Sequence, residues 1–412
     1  MGEAQLSWRA ERIRRRVQSA GAVIGMTDLA ALASAHRLKL LDLLGVEDAV
    51  VVATSPASVV YCSGYRSMGY DTDPGLVMAV VFNRQSWILV GPTADAWAAT
   101  EIGAGRLRYY GYRTFFFAEE SAENGLDEFR RFDCFDDAVQ AAVSSTLDDK
   151  TAPVAVEVGG SHAGLSSLAT IGSDKTQAAF RRARAIKDAV EIEIMGQAAR
   201  ATEQALRRAL ADARAGVSEL DLSSVISAEM IRAGLRPGFI VVTSGPRAAF
   251  GDAHASARRL EAGEFVRFDI GGTLHGYWSD IATTAVVGEP SADRLVVDQA
   301  IAAGQKTALS LVRPGVTTDK IFNATVEAVR NAGLPSYRRH HVGHGLGLES
   351  HEFPTLGPSN PVPLEPGMII NVEPPYYRPG WGGLMYEATL LVTETGAQPL
   401  TTFAPELITL SA

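Results

Sequence analysis

Cysteine is nearly absent: Cys62 and Cys134 are the only two in 412 residues. That is too few to staple a chain of this length, and their positions make neither a Cys-x-x-Cys redox pair nor a zinc knuckle. The scarcity fits a reducing compartment and predicts a cytoplasmic protein. Long apolar runs are missing too. A stretch such as Leu76 to Phe82, between Pro74-Gly75 and Asn83, has strand length and falls far short of the ~20 residues that cross a bilayer, so no membrane partner is expected. The formal net charge is −9 and no run of five or six basic residues offsets it. Such a chain is repelled by a phosphate backbone, so nucleic acid is not an expected partner. Repeats and low-complexity tracts are also lacking. With 46% hydrophobic and 21% charged residues, disorder is not expected either. Arg9, Arg12, Arg14, Arg15 and Arg16 crowd the N-terminus, but Glu3 and Glu11 interrupt them and no apolar signal core follows. They read as an amphipathic helical arm, and Leu6 stands where myristoylation needs Ser or Thr.

What is present has the size and rhythm of two domains, since 412 residues exceed what one core usually organises. Short β-branched runs at 49–53, 76–82, 86–90 and 154–158 alternate with turns such as Ser55-Pro56, Asp73-Pro74 and Gly91-Pro92. This predicts an α/β N-terminal domain over 1–175, ending near Ser173–Lys175. Over 176–412 the composition predicts long helices at 188–214, 218–232, 292–312 and 318–331, with Val217-Ser218-Glu219 as a cap. Strands are expected at 239–243, 265–271, 276–287, 368–373 and 383–392. Hairpins in place of regular crossovers predict an α+β domain, its helices outside a curved, mostly antiparallel sheet.

Two hairpins concentrate charge. If the first centres between Leu274 and His275, Asp269 lies directly across from Asp280. Like charges opposed on neighbouring strands destabilise a sheet unless a cation sits between them. Glu373 and Glu387 lie symmetrically about Gly380 and form a second such pair. Between the hairpins runs His340-His341-Val342-Gly343-His344-Gly345, where His340 and His344 share one face if the segment is extended. A single buried Asp on a strand is more often a hydrogen-bonded structural residue than a ligand, but two symmetric carboxylate pairs with a histidine cluster outweigh that. Four carboxylates and an imidazole suit manganese, cobalt, iron or zinc better than a thiolate-seeking ion, and can bridge two of them.

The motifs Phe268-Asp269-Ile270-Gly271, Gly276-Tyr277-Trp278-Ser279-Asp280, Gly343-His344-Gly345-Leu346-Gly347 with His351-Glu352-Phe353-Pro354, Val372-Glu373-Pro374 and Gly382-Gly383 before Glu387 resemble the pita-bread metallohydrolases. That family includes Xaa-Pro aminopeptidases, prolidases and methionine aminopeptidases, with creatinase as a metal-free relative. Ile186-Lys187-Asp188 resembles the start of its catalytic domain, and Tyr61-Cys62-Ser63-Gly64-Tyr65 the creatinase/prolidase-type N-terminal domain, which methionine aminopeptidases lack. The resemblance implies a homodimer and a pita-bread domain with two divalent ions held by Asp269, Asp280, His344, Glu373 and Glu387. Manganese is the first candidate, with cobalt, zinc or iron as the others. It further implies Glu373 as proton carrier, His340 and His351 as donors to substrate and intermediate, and Tyr65 near the substrate. His341, of opposite strand parity, is assigned to structure.

Three departures from the family bear on substrate. Where its peptidases carry a further substrate-binding histidine stands Asp252, with His254 two residues on; a short gap would put His254 there instead. The family's arginine two residues before the last ligand is Met385, and the arginine of its Ser-Asp-Ile-Thr-Arg-Thr stretch is Thr283. Two lost cations and one gained anion predict a more negative pocket that favours a cationic or neutral substrate. The expected function is hydrolysis of a small amide or imide C–N bond, of Xaa-Pro dipeptidase or aminopeptidase type, on a dipeptide or other small molecule. The alternatives are a ring-opening hydrolase or metal-dependent lyase for a small cationic or zwitterionic compound, and a non-catalytic binding protein, which would need no such ligand set.

Overall fold

A computed structural model of the chain describes residues 25–73, 75–102, 107–118, 125–147, 151–157 and 163–412. The expected N-terminal arm, Pro74 of the expected turn and Val158 of the expected strand lie outside these residues. The chain divides into two compact units, Met1–Arg184 and Ala185–Ala412, where the sequence placed a boundary after residue 175. Among the described residues no helix is long and apolar enough to cross a membrane.

The first unit holds α1 (Met26–Leu44), β1 (Val50–Ala53), α2 (Pro56–Ser63), α3 (Met68–Thr72), β2 (Ala79–Phe82), β3 (Trp87–Pro92), β4 (Leu107–Tyr112), β5 (Leu126–Phe132), α4 (Phe135–Thr146), β6 (Val154–Val156) and α5 (Ser173–Ala185). Its strands form one sheet in the order β5-β4-β3-β2-β1-β6. The β1/β2 and β2/β3 pairs are antiparallel and the others parallel. Strands β1 and β2 are apolar and buried at every position, the pattern of a sheet covered on both faces. Val139, Ala142 and Val143 of α4 pack on one face, against Val81, Val90 and Tyr110.

The second unit runs α6 (Ala189–Asp212), α7 (Glu219–Arg232), β7 (Arg236–Ser244), β8 (Phe265–Leu274), β9 (Tyr277–Val287), α8 (Ala292–Leu311), α9 (Thr318–Asn331), β10 (Gly343–Gly345), β11 (Glu352–Thr355), β12 (Ile369–Val372), β13 (Tyr376–Arg378), β14 (Gly382–Leu384), β15 (Ala388–Val392), β16 (Ala397–Pro399) and β17 (Ile408–Leu410). At the start of α6 the Glu191 carboxylate accepts the Asp188 N–H. Ser218 and Asp221 exchange the same kind of bond at the start of α7. One sheet has the order β17-β9-β8-β7, a second β11-β10-β12-β15-β16, and β13 and β14 form a ribbon. All pairs are antiparallel except β17 with β9. The Glu387 N–H donates to the Ala282 carbonyl and the Thr389 hydroxyl to the Asp280 carbonyl, both at 2.9 Å, which stitches the two sheets along β9 and β15.

Strand parity then decides what faces what. Val266, Phe268 and Ile270 of β8 pack with Leu206, Leu222 and Ile226 of α6 and α7, so Arg267 and Asp269 take the opposite face. Ile370 and Val372 of β12 pack with Ile301, Val326 and Val329 of α8 and α9, which sends Asn371 the other way. Both sheets thus turn apolar faces to helices and polar faces to a common site.

The register differs from the expected one at the first hairpin. Leu274 pairs with Tyr277 across a two-residue turn at His275-Gly276, both with positive φ of 51° and 89°, the turn that matches strand twist. Asp280 therefore pairs with Gly271, and Asp269 with Ala282. The two aspartates share a face as diagonal neighbours and are not directly opposed. At the second hairpin the symmetry about Gly380 is observed: Val372 pairs with Ala388 and Tyr377 with Gly383, which carries Glu373 opposite Glu387.

Candidate metal centre

His344 sits on β10 opposite Asn371, buried at 2% exposure. The preceding Gly343 has no room for a side chain: a Cβ there would lie 2.1 Å from the Asn371 carbonyl oxygen, so only glycine lets β10 approach β12 this closely. His344 Nδ1 is 3.0 Å from the Gly345 carbonyl, which can only accept. The proton therefore belongs on Nδ1, and Nε2 keeps its lone pair. Burial lowers the imidazole pKa to about 4, so it stays in the neutral form that binds metals. Nε2 lies 3.4 Å from Glu373 Oε1 and 3.9 Å from Asp280 Oδ2.

The carboxylates crowd this ring. Ligand atoms of Asp280, His344 and Glu387 lie within 4.8 Å of one another, as do those of His341, His351 and Glu373. Burial, then the neighbouring like charges, push Asp280 and Glu387 well above the usual carboxylate range. Asp269 is pushed up to about 6 by burial, with Arg267 opposing and Glu373 and Asp252 reinforcing the shift. Burial also works against ionised Glu373, yet the hydrogen bond from His341 and the surrounding imidazoles hold it below its ordinary value. Asn371 Nδ2 donates to Glu387 Oε1 at 2.9 Å, while Glu387 Oε2 is buried without a partner. A buried carboxyl oxygen without a donor is costly whether or not the group is ionised. Three carboxylates, Asp280, Glu373 and Glu387, around a lone-pair nitrogen, with Asp269 close enough to act on Asp280, fit divalent cations of the oxygen- and nitrogen-seeking kind.

The histidines rearrange the expectation. The strand begins only at Gly343, so the alternation assumed for His340 does not extend back to it. His340 is exposed, its ring edge-on to His341. His341, expected to be structural, instead turns inward, with Nε2 3.1 Å from Glu373 Oε1. His351 is exposed and stacks on His344 with ring centroids 3.8 Å apart. The turn that carries it is fixed by Glu352, which accepts the Leu348 and Glu349 N–H groups and pairs with buried Lys187 at 3.3 Å. Asp252 and His254 both lie exposed in the loop after β7. The charge of Asp252 acts on Asp269; for His254 the contact is its carbonyl, which accepts from Arg247. Tyr65 belongs to the first unit, where its N–H donates to Ser63 Oγ and burial, then Asp95, raises its phenol.

Residues 193–394 match the model of metallopeptidase family M24. That segment, just under half of the chain, is the part that matches the family of the pita-bread metallohydrolases. It is 34% identical to an Xaa-Pro dipeptidase of Pyrococcus furiosus over 227 residues, 55% of this chain and 65% of that protein. It is 29% identical to the Xaa-Pro dipeptidase of Pyrococcus horikoshii over 293 residues, 71% of this chain and 82% of that protein. The match to the first thus spans just under two thirds of the relative's own length. Among solved structures, dipeptidase PepE from Mycobacterium ulcerans superposes with a TM-score of 0.72 at 27% identity, covering 94% of this chain and 99% of that one.

Against the M24 pattern, the expected loss of two cations needs correction. Thr283 pairs with Phe268 and so faces α6 and α7, away from the site; an arginine there would not have entered the pocket. Met385 does lie by the site, with Sδ 3.6 Å from the Tyr377 hydroxyl. But Arg267, fully buried, brings a guanidinium to Asp269 at 2.9 Å. The sequence reading missed it, although a charge two residues before Asp269 in Phe265-Val266-Arg267-Phe268-Asp269 shares that residue's face on a strand. Asp252 is an exposed anion whose charge reaches Asp269.

Proposed function

We propose that the chain is a dinuclear metal-dependent hydrolase of small amide or imide C–N bonds, of Xaa-Pro dipeptidase type. The observation that carries it is the buried pair Asp280 and Glu387 beside the Nε2 lone pair of His344, with one Glu387 oxygen unpartnered. Asp269, Asp280, His344, Glu373 and Glu387 would hold two divalent ions, manganese first among manganese, cobalt, zinc and iron. When bound, the ions supply an activated water and polarise the scissile carbonyl.

The chain's own residues do the rest. Glu373 takes and returns the proton, and the His341 hydrogen bond keeps it ionised between turnovers. His351 offers an exposed ring nitrogen to the developing oxyanion, a donor worth roughly 3 kcal/mol. His340 stands behind His341 as a further donor at the rim. Asp252, whose charge is felt at Asp269, favours a substrate with a cationic end, such as a free amino terminus. That same carboxylate supports the second reading, a ring-opening hydrolase or lyase for a small cationic compound.

A cytoplasmic homodimer belongs to this proposal. Its supports are two free cysteines and the family resemblance.

Metal analysis of the purified protein, followed by a screen of Xaa-Pro dipeptides, cyclic amidines and onium compounds with Mn²⁺ restored, tests the reading. Metal-dependent Xaa-Pro cleavage is the expected result. Turnover that survives exhaustive chelation would move the case to metal-free chemistry.

A further inference from the structure

Arg267 has no part in the reaction just described, yet it touches two parts of the site at once. It lies on β8 with none of its side chain exposed. Nη1 donates to Asp269 Oδ2 at 2.9 Å and to the Tyr377 hydroxyl at 3.3 Å. Nη2 donates to the main-chain carbonyls of Phe250 and Gly251, at 2.6 and 2.5 Å. The guanidinium carbon also lies 5.2 Å from the centroid of the Tyr377 ring. A buried cation is retained only where charge and hydrogen bonds offset its desolvation, and the planar guanidinium can serve several acceptors in fixed directions.

Those acceptors are unrelated in sequence. Asp269 would be one of the metal-site carboxylates; by holding Oδ2, the arginine fixes the carboxylate's orientation and would leave its other oxygen available for ligation. Phe250 and Gly251 are the two residues immediately before Asp252, so the second nitrogen ties down the base of the loop that presents it. Met385 reaches the same Tyr377 hydroxyl from beyond the end of β14, but a thioether donates nothing.

We propose that Arg267 is the positioning residue of this centre: one buried guanidinium orients Asp269 for ligation and anchors the loop carrying Asp252. The inference rests on the metal-centre reading above. It predicts that the arginine can be moved, because a side chain at 385 already contacts the hydroxyl that Arg267 contacts.

The test uses the full chain and Mn²⁺ itself. Affinity is read by competition with a chelator, and loop order by hydrogen exchange of the amides at 250–252. Arg267→Met is expected to melt cooperatively but to bind Mn²⁺ about tenfold or more weakly, with faster exchange at 250–252. The double variant Arg267→Met/Met385→Arg should recover most of the affinity while exchange in the loop stays fast, since the two carbonyls are not regained. Asp269→Asn is the reference. If it binds Mn²⁺ like the wild type, the metal-centre reading itself fails. If it loses binding while Arg267→Met does not, only the role of Arg267 is overturned. Failure of the double variant to recover any affinity also overturns it. Should Arg267→Met not fold, Arg267→Lys keeps the charge without the fork, and unchanged affinity and exchange there count against the proposal.

Discussion

Removing the metal should expose a cost that the fold carries at Asp280 and Glu387. Their ligand atoms lie within 4.8 Å, and at an effective dielectric of ~20 two unit charges at that separation repel by about 3–4 kcal/mol. Burial first, and then this repulsion, push both groups well above the ordinary range. Binding of the two proposed divalent ions would remove the repulsion. At a hundred times its dissociation constant a ligand adds ~2.7 kcal/mol, and a domain of 150–250 residues shows that as a rise of roughly 5–11 °C. Asp280→Asn separates the two effects. It removes one charge at nearly constant shape, so the metal-free protein should melt no lower than the wild type and may be compared directly; it also removes a ligand, so the manganese-induced rise should shrink to a small fraction. Thermal melts of chelator-treated protein with and without Mn²⁺, wild type beside Asp280→Asn, give both numbers. A wild-type melting temperature that Mn²⁺ leaves unmoved, or an equal rise in the variant, refutes the reasoning.

Other outcomes follow from the same geometry. Glu373→Gln removes a ligand and the proton carrier together, so kcat on the substrate found by the screen should fall at least ~10²-fold, measured at saturating Mn²⁺. Asp252→His should lower the native reaction about tenfold, equivalent to ~1.4 kcal/mol, while raising Xaa-Pro cleavage; unchanged preference across the screen would return His254 to candidacy, and His254→Ala measured alongside decides between them. Away from the site, Glu203 is held below its ordinary value despite burial, by the Thr402 hydroxyl and N–H and by Arg207. A carboxylate with a depressed folded pKa contributes stability that is complete above its unfolded value, ~4.3, and is lost as pH falls through the folded one. The melting temperatures of wild type and Glu203→Gln should therefore differ most above the ordinary glutamate range and converge as pH falls below it, and a constant difference would contradict this.

The sequence by itself determined the periodic elements and singled out Asp280, His344 and Glu387, whose ligand atoms the structure brings within 4.8 Å of one another. Helices α6 to α9 fall within a few residues of their expected bounds, because composition and the caps at Asp188 and Ser218 act locally. The symmetry about Gly380 set the Glu373 and Glu387 register, since a hairpin's pairing follows from where its turn lies. The first hairpin shows where that reasoning stops. The turn settled at His275-Gly276, one residue beyond the expected centre, because two positive φ values there match the strand twist. A one-residue difference in the turn moved Asp280 opposite Gly271.

Only the tertiary structure decided which side chains meet. His341 reached Glu373 although strand parity had assigned it to structure, because the strand starts at Gly343 and no alternation governs residues outside it. Thr283 fell on the helix face and Arg267 on the metal face, so a count of charges along the chain could not give the charge of the pocket. The anchoring of Phe250 and Gly251 to Arg267 joins residues that local rules never compare. Local pattern specifies backbone periodicity, whereas the charge and rotamers of a buried site depend on which faces the sheets turn toward one another.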